Sequence, residues 1–298
     1  MTLHCAFIGF GKSTTRYHLP YVLHRKDRWQ VAHIYRRRAK PEEQAPQYSH
    51  IHFTSDLEEV LNDPLVKLVV VCTHADSHFE YAKKALEAGK NVLVEKPFTP
   101  TLEEAKTLFA LANSKGLTVT PYQNRRFDSC FLTTKKVIES GKLGELVEIE
   151  SHFDNYRPLA ETNPGGPQNG EFYGLGVHTL DQIISLFGRP DHVSYDLRSL
   201  RNKANPDDTF EAQLFYGDMK AIVKTSHLVQ IDYPKFIVHG HKGSFVKYGI
   251  DQQETSLKAN IMPGEPGFGA DDSVGELVYV NEAGEMVREA VPLESGDY

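Results

Sequence analysis

Short apolar runs alternate with helical patterns along the first third of the chain. Residues 3–8, 30–35, 68–72 and 91–95 form predicted strands whose nearly continuous apolar character is typical of strands buried on both faces. Because helical stretches separate these runs, the pattern predicts βαβ units. Units of this kind build a doubly wound parallel sheet of the α/β class.

Two of the intervening helices have recognisable ends. Residues 77–88 place their apolar side chains on one stripe, and Gly89 follows as a stop signal. Thr101 and Glu104 form a capping box, in which a hydroxyl and a carboxylate satisfy free amides at a helix start. One more strand is predicted at residues 117–120. The first domain is therefore predicted to span residues 1–122.

After Tyr122 the pattern changes. Helices are predicted at residues 129–140 and from about 175 to 187, with a long strand at 146–156 and a loop rich in Pro and Gly at 157–170 between them. Consecutive strand candidates follow at 193–200, 210–216, 220–228 and 235–239. Strands without intervening helices favour an antiparallel sheet. Residues 123–298 are therefore predicted to form a second, α+β domain.

Composition narrows the class of protein. The chain has 298 residues, of which 40% are hydrophobic and 24% charged, as expected of a globular protein with two domains. A net charge of −7 gives no reason to expect nucleic acid or an anionic membrane as partner. There is no apolar stretch near the roughly 18 residues that cross a bilayer and no signal-peptide pattern. With only three scattered cysteines, a cytoplasmic location is expected.

A glycine turn, Gly9-Phe10-Gly11-Lys12-Ser13-Thr14, follows the first predicted strand. It has the first two glycines of the G-x-G-x-x-G fingerprint, and Thr14 stands in place of the third. The first glycine permits a tight turn, and the second lets backbone amides approach a pyrophosphate. Such a pair also occurs in purely structural turns, but its place at the start of a βαβ series favours nucleotide binding. We expect the cofactor to contact Gly9, Phe10, Gly11, Lys12 and Ser13.

A basic run, Tyr35-Arg36-Arg37-Arg38, follows the second strand. The fingerprint expects an acid in this region that binds the ribose 2′-hydroxyl of NAD. Guanidinium groups instead offer bidentate donors to a 2′-phosphate, and one of them can stack on adenine. A solvated loop is the alternative, but the position favours a role for Arg36 and Arg37. The sequence predicts NADP(H) as cofactor, with NAD(H) as the alternative.

The motif Glu95-Lys96-Pro97 ends the strand at residues 91–95, at the edge where open α/β sheets bind ligands. A lysine there can hold a substrate oxygen and stabilise developing negative charge; the alternative is an ordinary surface cation. His74 and His78 are spaced like a metal pair, but they straddle a loop and a helix start, so no metal site is predicted. Neither a P-loop nor a nucleophile elbow occurs in the chain.

With these motifs in place, the sequence resembles the glucose-fructose oxidoreductase, inositol dehydrogenase and MocA family of NAD(P)-dependent oxidoreductases. The resemblance covers essentially the whole chain. Its features are Gly9-x-Gly11, Glu95-Lys96-Pro97, Val70-Val71-Cys72-Thr73 followed by His78, and Gly176-Val177-His178-x-x-Asp181. Two further segments are similar to the branch with NADP-dependent scyllo-inositol dehydrogenases, namely Tyr17-His18-Leu19-Pro20 and Asn124-Arg125-Arg126-Phe127-Asp128.

The resemblance implies a Rossmann domain followed by an α/β domain whose open sheet often forms an oligomer interface. A homodimer or higher homo-oligomer is thus expected. It also implies that Thr73, His78, Glu95 and Lys96 lie at the cofactor, and that the substrate is a sugar, sugar acid or cyclitol. Many members use a Lys, an Asp and a His as the reactive group. The position of that Asp is Gly174 in this chain, which is a serious departure.

Lys96 and His178 are the catalytic candidates. A histidine with an ordinary pKa near 6.5 suits acid–base work, although a buried core histidine is the alternative. We expect His178 to exchange the substrate proton while Lys96 polarises the oxygen. Asp181 could orient the imidazole, cap the helix or form a salt bridge. The substrate-pocket candidates, each of which could instead be structural, are Asn124, Arg125, Tyr156, Arg157 and Asp181.

The sequence therefore predicts a cytoplasmic oxidoreductase, NADP(H)-dependent and acting on CH–OH groups. It does not name the substrate or the direction of reaction, since selectivity depends on pocket geometry. Because Gly174 removes a carboxylate, the alternative is a catalytically inactive NADP-binding regulator or sensor. Family members generally continue into a further helical segment, so we expect the chain to be shortened after Tyr298 or to lack that segment.

Overall fold

In the computed structural model, residues 2–161 and 165–298 are described. The chain forms two compact units, which are Met1–Gln123 with Ser256–Phe268, and Asn124–Thr255 with Gly269–Tyr298. The segment Ser256–Phe268 thus returns to the first unit, although a boundary drawn along the sequence at residue 122 does not include it. The predicted loop at residues 157–170 contains residues 162–164, which lie outside the described residues.

The first unit contains a six-stranded sheet in the order β3-β2-β1-β4-β5-β6. All of its neighbouring pairs are parallel, which confirms the predicted doubly wound parallel sheet. The strands are β1 (Leu3–Ile8), β2 (Trp29–Tyr35), β3 (His52–Thr54), β4 (Val66–Val71), β5 (Asn91–Val94) and β6 (Val119–Pro121).

Helices cover both faces of this sheet. They are α1 (Leu19–His24), α2 (Leu57–Asn62), α3 (His78–Glu87) and α4 (Leu102–Ser114), and a π-helical turn (Thr14–His18) precedes α1. Ala6 and Ile8 belong to one apolar cluster, whereas Cys5 and Phe7 belong to another. Because neighbouring residues in a strand point to opposite faces, the continuous apolar run of β1 is explained by burial on both sides.

The second unit contains an eight-stranded sheet in the order β14-β13-β12-β11-β7-β10-β9-β8. β7 and β10 are parallel and the other neighbouring pairs are antiparallel, so the prediction of a largely antiparallel sheet is confirmed. The strands are β7 (Leu146–His152), β8 (His192–Arg198), β9 (Thr209–Tyr216), β10 (Met219–Ser226), β11 (Phe236–Gly240), β12 (Gly243–Lys247), β13 (Gly275–Val280) and β14 (Met286–Val291).

Two helices supply the core of the second unit, α5 (Ser129–Glu139) and α6 (Val177–Phe187). Val137 of α5 and Ile183 of α6 belong to one buried cluster with alternate residues of β9, namely Phe210, Ala212 and Leu214. A third helix, α7 (Gln253–Lys258), follows β12. The predicted strand at 146–156 was too long, since β7 ends at His152 and Tyr156 forms an isolated bridge with Leu228.

None of the helices in the described ranges has the length and apolar character needed to cross a membrane. Cys5, Cys72 and Cys130 are all buried and free of disulfide bonds.

Candidate cofactor and catalytic site

A cavity of about 720 Å³ opens beside the glycine turn of the first unit. It is lined by residues 9–13 of the turn, by residues 35–38 and Lys40 after β2, by residues 72–74 after β4, and by Tyr81 of α3. The cavity thus lies at the carboxyl ends of β1, β2 and β4, where dinucleotides bind to folds of this class.

The glycines of the turn make room for a ligand. Gly9 has a φ of +113°, and a Cβ atom there would lie 2.5 Å from the carbonyl oxygen of Cys72. A side chain at position 9 is therefore excluded by both conformation and space. A Cβ atom on Gly11 would meet nothing within 4 Å, so the space beside it is open. This open cradle fits a pyrophosphate group.

Thr14 stands where the fingerprint has its third glycine. Its hydroxyl is buried and donates to the carbonyl oxygen of Gly9 at 2.9 Å. The threonine therefore ties the start of the first helical turn to the glycine turn.

The cavity is strongly basic. Its described lining residues include five cations, which are Lys12, Arg36, Arg37, Arg38 and Lys40, but no Asp or Glu. The carboxylate that would bind the 2′-hydroxyl of NAD is thus missing from the described lining. Positive charge at this point suits a phosphate instead.

Arg36 is less available to bind a phosphate than the sequence predicted. Its Nε and Nη2 donate to the Glu43 carboxylate at 2.7 and 2.9 Å, and this bond lowers the pKa of Glu43. Glu43 also accepts a hydrogen bond from the backbone amide of Lys40 at 2.8 Å, and the Lys40 ammonium donates to the carbonyl of Phe10. Arg37, the residue after Arg36, is exposed. Lys40 and Glu43 were not among the predicted site residues, although the Lys-Pro-Glu-Glu pattern at residues 40–43 predicts a helix start there.

Thr73 lines the cavity, but His78 does not. His78 is buried, with Nδ1 2.9 Å from the carbonyl oxygen of Pro97 and Nε2 3.1 Å from that of Thr73. The imidazole therefore connects the start of α3 to the loop after β5. His78 therefore lies behind the residues that line the cavity. It holds the cavity wall in shape and does not itself contact a ligand in this cavity.

Glu95, the residue directly after β5, is also buried. One carboxylate oxygen lies 2.9 Å from Nε2 of His18, and the other accepts a hydrogen bond from the backbone amide of Lys96 at 3.0 Å. The side chains of His18 and Glu95 are only 3% and 8% exposed. Glu95 thus fixes the backbone of the lysine that the sequence singled out as catalytic.

The electrostatics of this pair favour an imidazolium and a carboxylate. Burial by itself would lower the pKa of His18, but the Cys72 thiol and the Glu95 carboxylate together raise it to about 10. Burial would raise the pKa of Glu95, but the bond to His18 lowers it.

His18, Cys72 and Glu95 are also ligand types for a metal, and their ligand atoms lie within 4.8 Å of one another. The direct 2.9 Å contact is that of an ion pair.

In the second unit, His178 lies in the first turn of α6 and is buried. Asp181 accepts bonds from Nε and Nη2 of Arg126, both at 2.7 Å. Of the roles left open for Asp181, this bidentate geometry favours the salt bridge.

Arg125 and Asn124 are buried, which places them in the structure of the second unit rather than on an open surface. The Arg125 guanidinium donates to Glu254 at 2.8 Å and to Asp128 at 3.3 Å. Burial raises the pKa of Asp128 to about 6, against the opposing effect of Arg125. The hydroxyl of Tyr298 donates to Asp128 at 2.8 Å. We interpret Arg125 as part of this buried network.

Tyr156 and Arg157 are exposed after β7, so both stay candidates for substrate contact. The amide of Arg157 donates to the carbonyl of His227, and its own carbonyl accepts a bond from Arg201 at 2.9 Å. These bonds fix the backbone of Arg157 while its side chain is exposed.

A dinucleotide cradle on a parallel sheet, followed by a second α/β unit with a buried histidine, defines the class of two-domain nicotinamide-dependent oxidoreductases. Residues 3–123 match the GFO_IDH_MocA family description "Oxidoreductase family, NAD-binding Rossmann fold". Residues 135–298 match the companion description "Oxidoreductase family, C-terminal alpha/beta domain". The chain belongs to this family, which confirms the resemblance that the motifs indicated.

Individual relatives agree with this assignment. The chain is 85% identical over 298 residues to the uncharacterized oxidoreductase YhhX of Escherichia coli, covering all of this chain and 86% of that protein. It is 34% identical over 302 residues to IolW of Bacillus subtilis, named scyllo-inositol 2-dehydrogenase (NADP(+)), covering all of this chain and 83% of that protein.

Solved structures have the same fold. The crystal structure of the probable oxidoreductase yhhX superposes with a TM-score of 0.99 at 85% identity, covering 99% of this chain and 86% of that one. An oxidoreductase from Bacillus cereus superposes with a TM-score of 0.96 at 49% identity, covering 99% and 85% respectively.

Proposed function

We propose that this protein is an NADP(H)-dependent oxidoreductase that transfers a hydride to or from a CH–OH carbon of a sugar, sugar acid or cyclitol. The observation that carries the proposal is the cavity beside the glycine turn, whose described lining has five cations and no carboxylate. The 34% identity to a relative named as an NADP-dependent scyllo-inositol dehydrogenase supports the same cofactor and a cyclitol substrate.

Each part of the cavity has a role in this proposal. The backbone amides of residues 9–13 and the Lys12 ammonium hold the pyrophosphate. Arg37 and Arg38 hold the 2′-phosphate, because Arg36 is already neutralised by Glu43. NADP, when bound, supplies the carbon that accepts or donates the hydride.

The proton chemistry belongs to side chains of the protein. In the oxidation direction, the imidazole of His178 accepts the hydroxyl proton, and the ammonium of Lys96 stabilises the negative charge that develops on the oxygen. Glu95 supports this role because it holds the backbone amide of Lys96 at 3.0 Å. In the reduction direction the same proton returns from His178 to the oxygen.

The experiment is a panel of inositols, sugars and sugar acids with NADP⁺, followed at the nicotinamide absorbance. We expect turnover of at least one member, with a strong loss in Lys96→Ala and in His178→Asn while NADP⁺ still binds. Lys106→Ala, an exposed lysine in α4, is the matched control and should behave like the wild type. Wild-type turnover in both catalytic variants would remove the assignment of Lys96 and His178.

A second candidate function is an NADP-binding regulator or sensor without catalytic activity. Gly174 favours it, because the carboxylate that family members usually carry four residues before the histidine is missing. Tight binding of NADP⁺ without turnover of any panel member would support this candidate against the enzyme.

We further propose a homodimer or higher oligomer of this protein. All seven residues of the edge strand β8 are exposed, including the apolar Val193, Tyr195 and Leu197 on alternate positions. Light scattering on the purified protein measures this directly, and a monomer would contradict it.

A further inference from the structure

Two histidines lie side by side at one edge of the parallel sheet of the first unit. The edge strand β3 pairs with β2, and His33 of β2 is the register partner of His52 of β3. Side chains at paired positions share one face of a sheet. The two imidazole rings meet edge to face, with their centroids 5.4 Å apart. The strand register thus brings two nitrogen ligand types together.

Helix α2 adds carboxylates to the two histidines. An oxygen of Glu59, in α2, lies 2.7 Å from Nε2 of His52. One ligand atom from each of His33, His52 and Glu59 lies within 4.8 Å of the others. Asp63, directly after α2, has Oδ2 2.8 Å from Nε2 of His33. Three elements of the first unit therefore contribute imidazole and carboxylate groups to one place.

The hydrogen bond to Asp63 determines which nitrogen of His33 has a lone pair. A carboxylate only accepts, so Nε2 of His33 carries the hydrogen, and Nδ1 of the neutral ring keeps its lone pair. Nδ1 is buried and has no hydrogen-bond partner among the described residues. A buried acceptor without a partner costs free energy. The lone pair of Nδ1 is therefore available to an electron-accepting ligand such as a metal ion.

Asp63 has the place of the outer partner of a metal-binding histidine. Its other oxygen accepts a hydrogen bond from the backbone amide of Leu65 at 2.8 Å. Burial would raise the pKa of Asp63, but the hydrogen bonds from His33 and Leu65 lower it. In metal sites such a carboxylate fixes the tautomer and the orientation of the histidine and makes it a stronger ligand. The pair of His33 and Asp63 has this arrangement.

The spacing of the ligand atoms suits a small divalent ion. Ligand atoms at zinc bond lengths of about 2.0–2.1 Å lie about 3.3 Å from one another in a tetrahedral site. This value lies between the 2.7 Å contact of His52 with Glu59 and the 4.8 Å that bounds the whole cluster. The side chains of His52 and Glu59 are 58% and 45% exposed, so small rotations can bring them to that spacing. Their exposure also leaves room for a water molecule as fourth ligand.

The cluster of His18, Cys72 and Glu95 differs from this one in the state of its histidine. Burial opposes the charge of His18, but the Cys72 thiol and the Glu95 carboxylate raise its pKa to about 10. An imidazolium is a donor at both nitrogens and has no lone pair for a metal. The cluster at the sheet edge is therefore the better candidate.

We propose that His33, His52 and Glu59 bind a divalent transition-metal cation such as Zn²⁺. Imidazole and carboxylate are ligands that zinc takes in tetrahedral sites. The carboxylates of Glu59 and Asp63 balance the charge of the ion, which joins β2, β3 and α2. None of these residues is in the described lining of the cofactor cavity, so the inference is independent of the proposed function.

Calorimetric titration of the full chain with Zn²⁺, after treatment with EDTA, tests the site. We expect the wild type to bind one more Zn²⁺ than His52→Ala and Glu59→Gln under the same conditions. Affinity at this site should fall by about 100-fold or more in both variants and by about tenfold in Asp63→Asn, because loss of an outer partner alone costs about 10–100-fold. His50→Ala removes an exposed histidine close to the cluster in sequence and is the matched control, which should bind like the wild type. Equal stoichiometry and affinity in the wild type and His52→Ala would overturn the proposal.

A second readout separates this site from other side chains that bind zinc. The single tryptophan, Trp29, lies in β2 with His33, so its fluorescence reports the unfolding of these strands. One equivalent of Zn²⁺ should move the urea midpoint of the wild type above its value in EDTA, because an ion bound only by the folded state stabilises that state.

This shift should be absent in His52→Ala and in Glu59→Gln. In EDTA both variants should unfold near the wild-type midpoint, because the exposed pair of His52 and Glu59 contributes little without a metal. Either no shift in the wild type or a shift of the same size in both variants would overturn the inference.

Discussion

Replacing Glu95 by Gln should destabilise the first unit by several kcal/mol. The change leaves the buried His18 without its counter-charge, and breaking a buried ion pair in this way costs about 3–5 kcal/mol. The Cys72 thiol and the Glu95 carboxylate raise the pKa of His18 to about 10 in the folded chain, so the buried imidazolium is stabilised there and depends in part on Glu95.

The pH dependence has a definite sign. The pKa of His18 is higher in the folded than in the unfolded chain, so its contribution is fully present below about pH 6.5 and disappears as the pH rises to about 10. The pKa of Glu95 is lowered by the same pair, so its contribution is lost only in solutions more acidic than its ordinary value of 4.5. The wild type should therefore lose stability between pH 6.5 and 10, and this loss should be smaller in Glu95→Gln, which keeps only the contribution of Cys72.

Urea unfolding from pH 6.5 to 9.5 measures both effects. The chain has a single tryptophan, Trp29 in β2, whose fluorescence reports on the first unit. Glu59→Gln is the matched control, because Glu59 forms an exposed pair with His52 and such pairs contribute little. If Glu95→Gln unfolds at the same urea concentration as that control, or keeps the pH slope of the wild type, the reasoning about the buried pair is refuted.

Further predictions concern the cofactor cavity. Replacing Arg37 and Arg38 together by Ala should lower the affinity for NADP⁺ by about tenfold or more while NAD⁺ binding changes little, as measured by calorimetric titration. Arg36→Ala should leave the ratio of the two affinities nearly unchanged because Glu43 already neutralises that guanidinium; a collapse of the ratio in this variant alone would contradict the assignment. Gly9→Ala should abolish NADP⁺ binding or unfold the first unit, because its Cβ would lie 2.5 Å from a carbonyl oxygen. Binding at wild-type affinity by a folded Gly9→Ala protein would contradict this.

Several elements of the fold could be read from local patterns. The apolar run of β1 is buried on both faces, and the predicted capping box at Thr101 is present, with Thr101 and Glu104 bonded reciprocally at 3.2 Å. These features depend on residues close together in the chain. Burial on both faces therefore appears in the sequence as an apolar run, and the helix cap appears as a short motif. The strands after residue 240 were not predicted individually, although β12 pairs with β11 directly before it and β14 with β13 directly before it.

The sequence by itself determined the class of fold, the glycine turn and the basic character of the segment after β2. Only the tertiary structure decided which charged side chains are paired within the protein and which are available to bind a ligand. Arg36 is taken up by Glu43, Asp181 by Arg126 and Glu95 by His18, and the last two pairs join residues 55 and 77 positions apart in the chain. Periodicity records which face of an element is buried, but it does not record which distant side chain meets a charge there. The partner of an ionised group depends on how whole elements pack, and so the chemistry of this site became readable only in the folded protein.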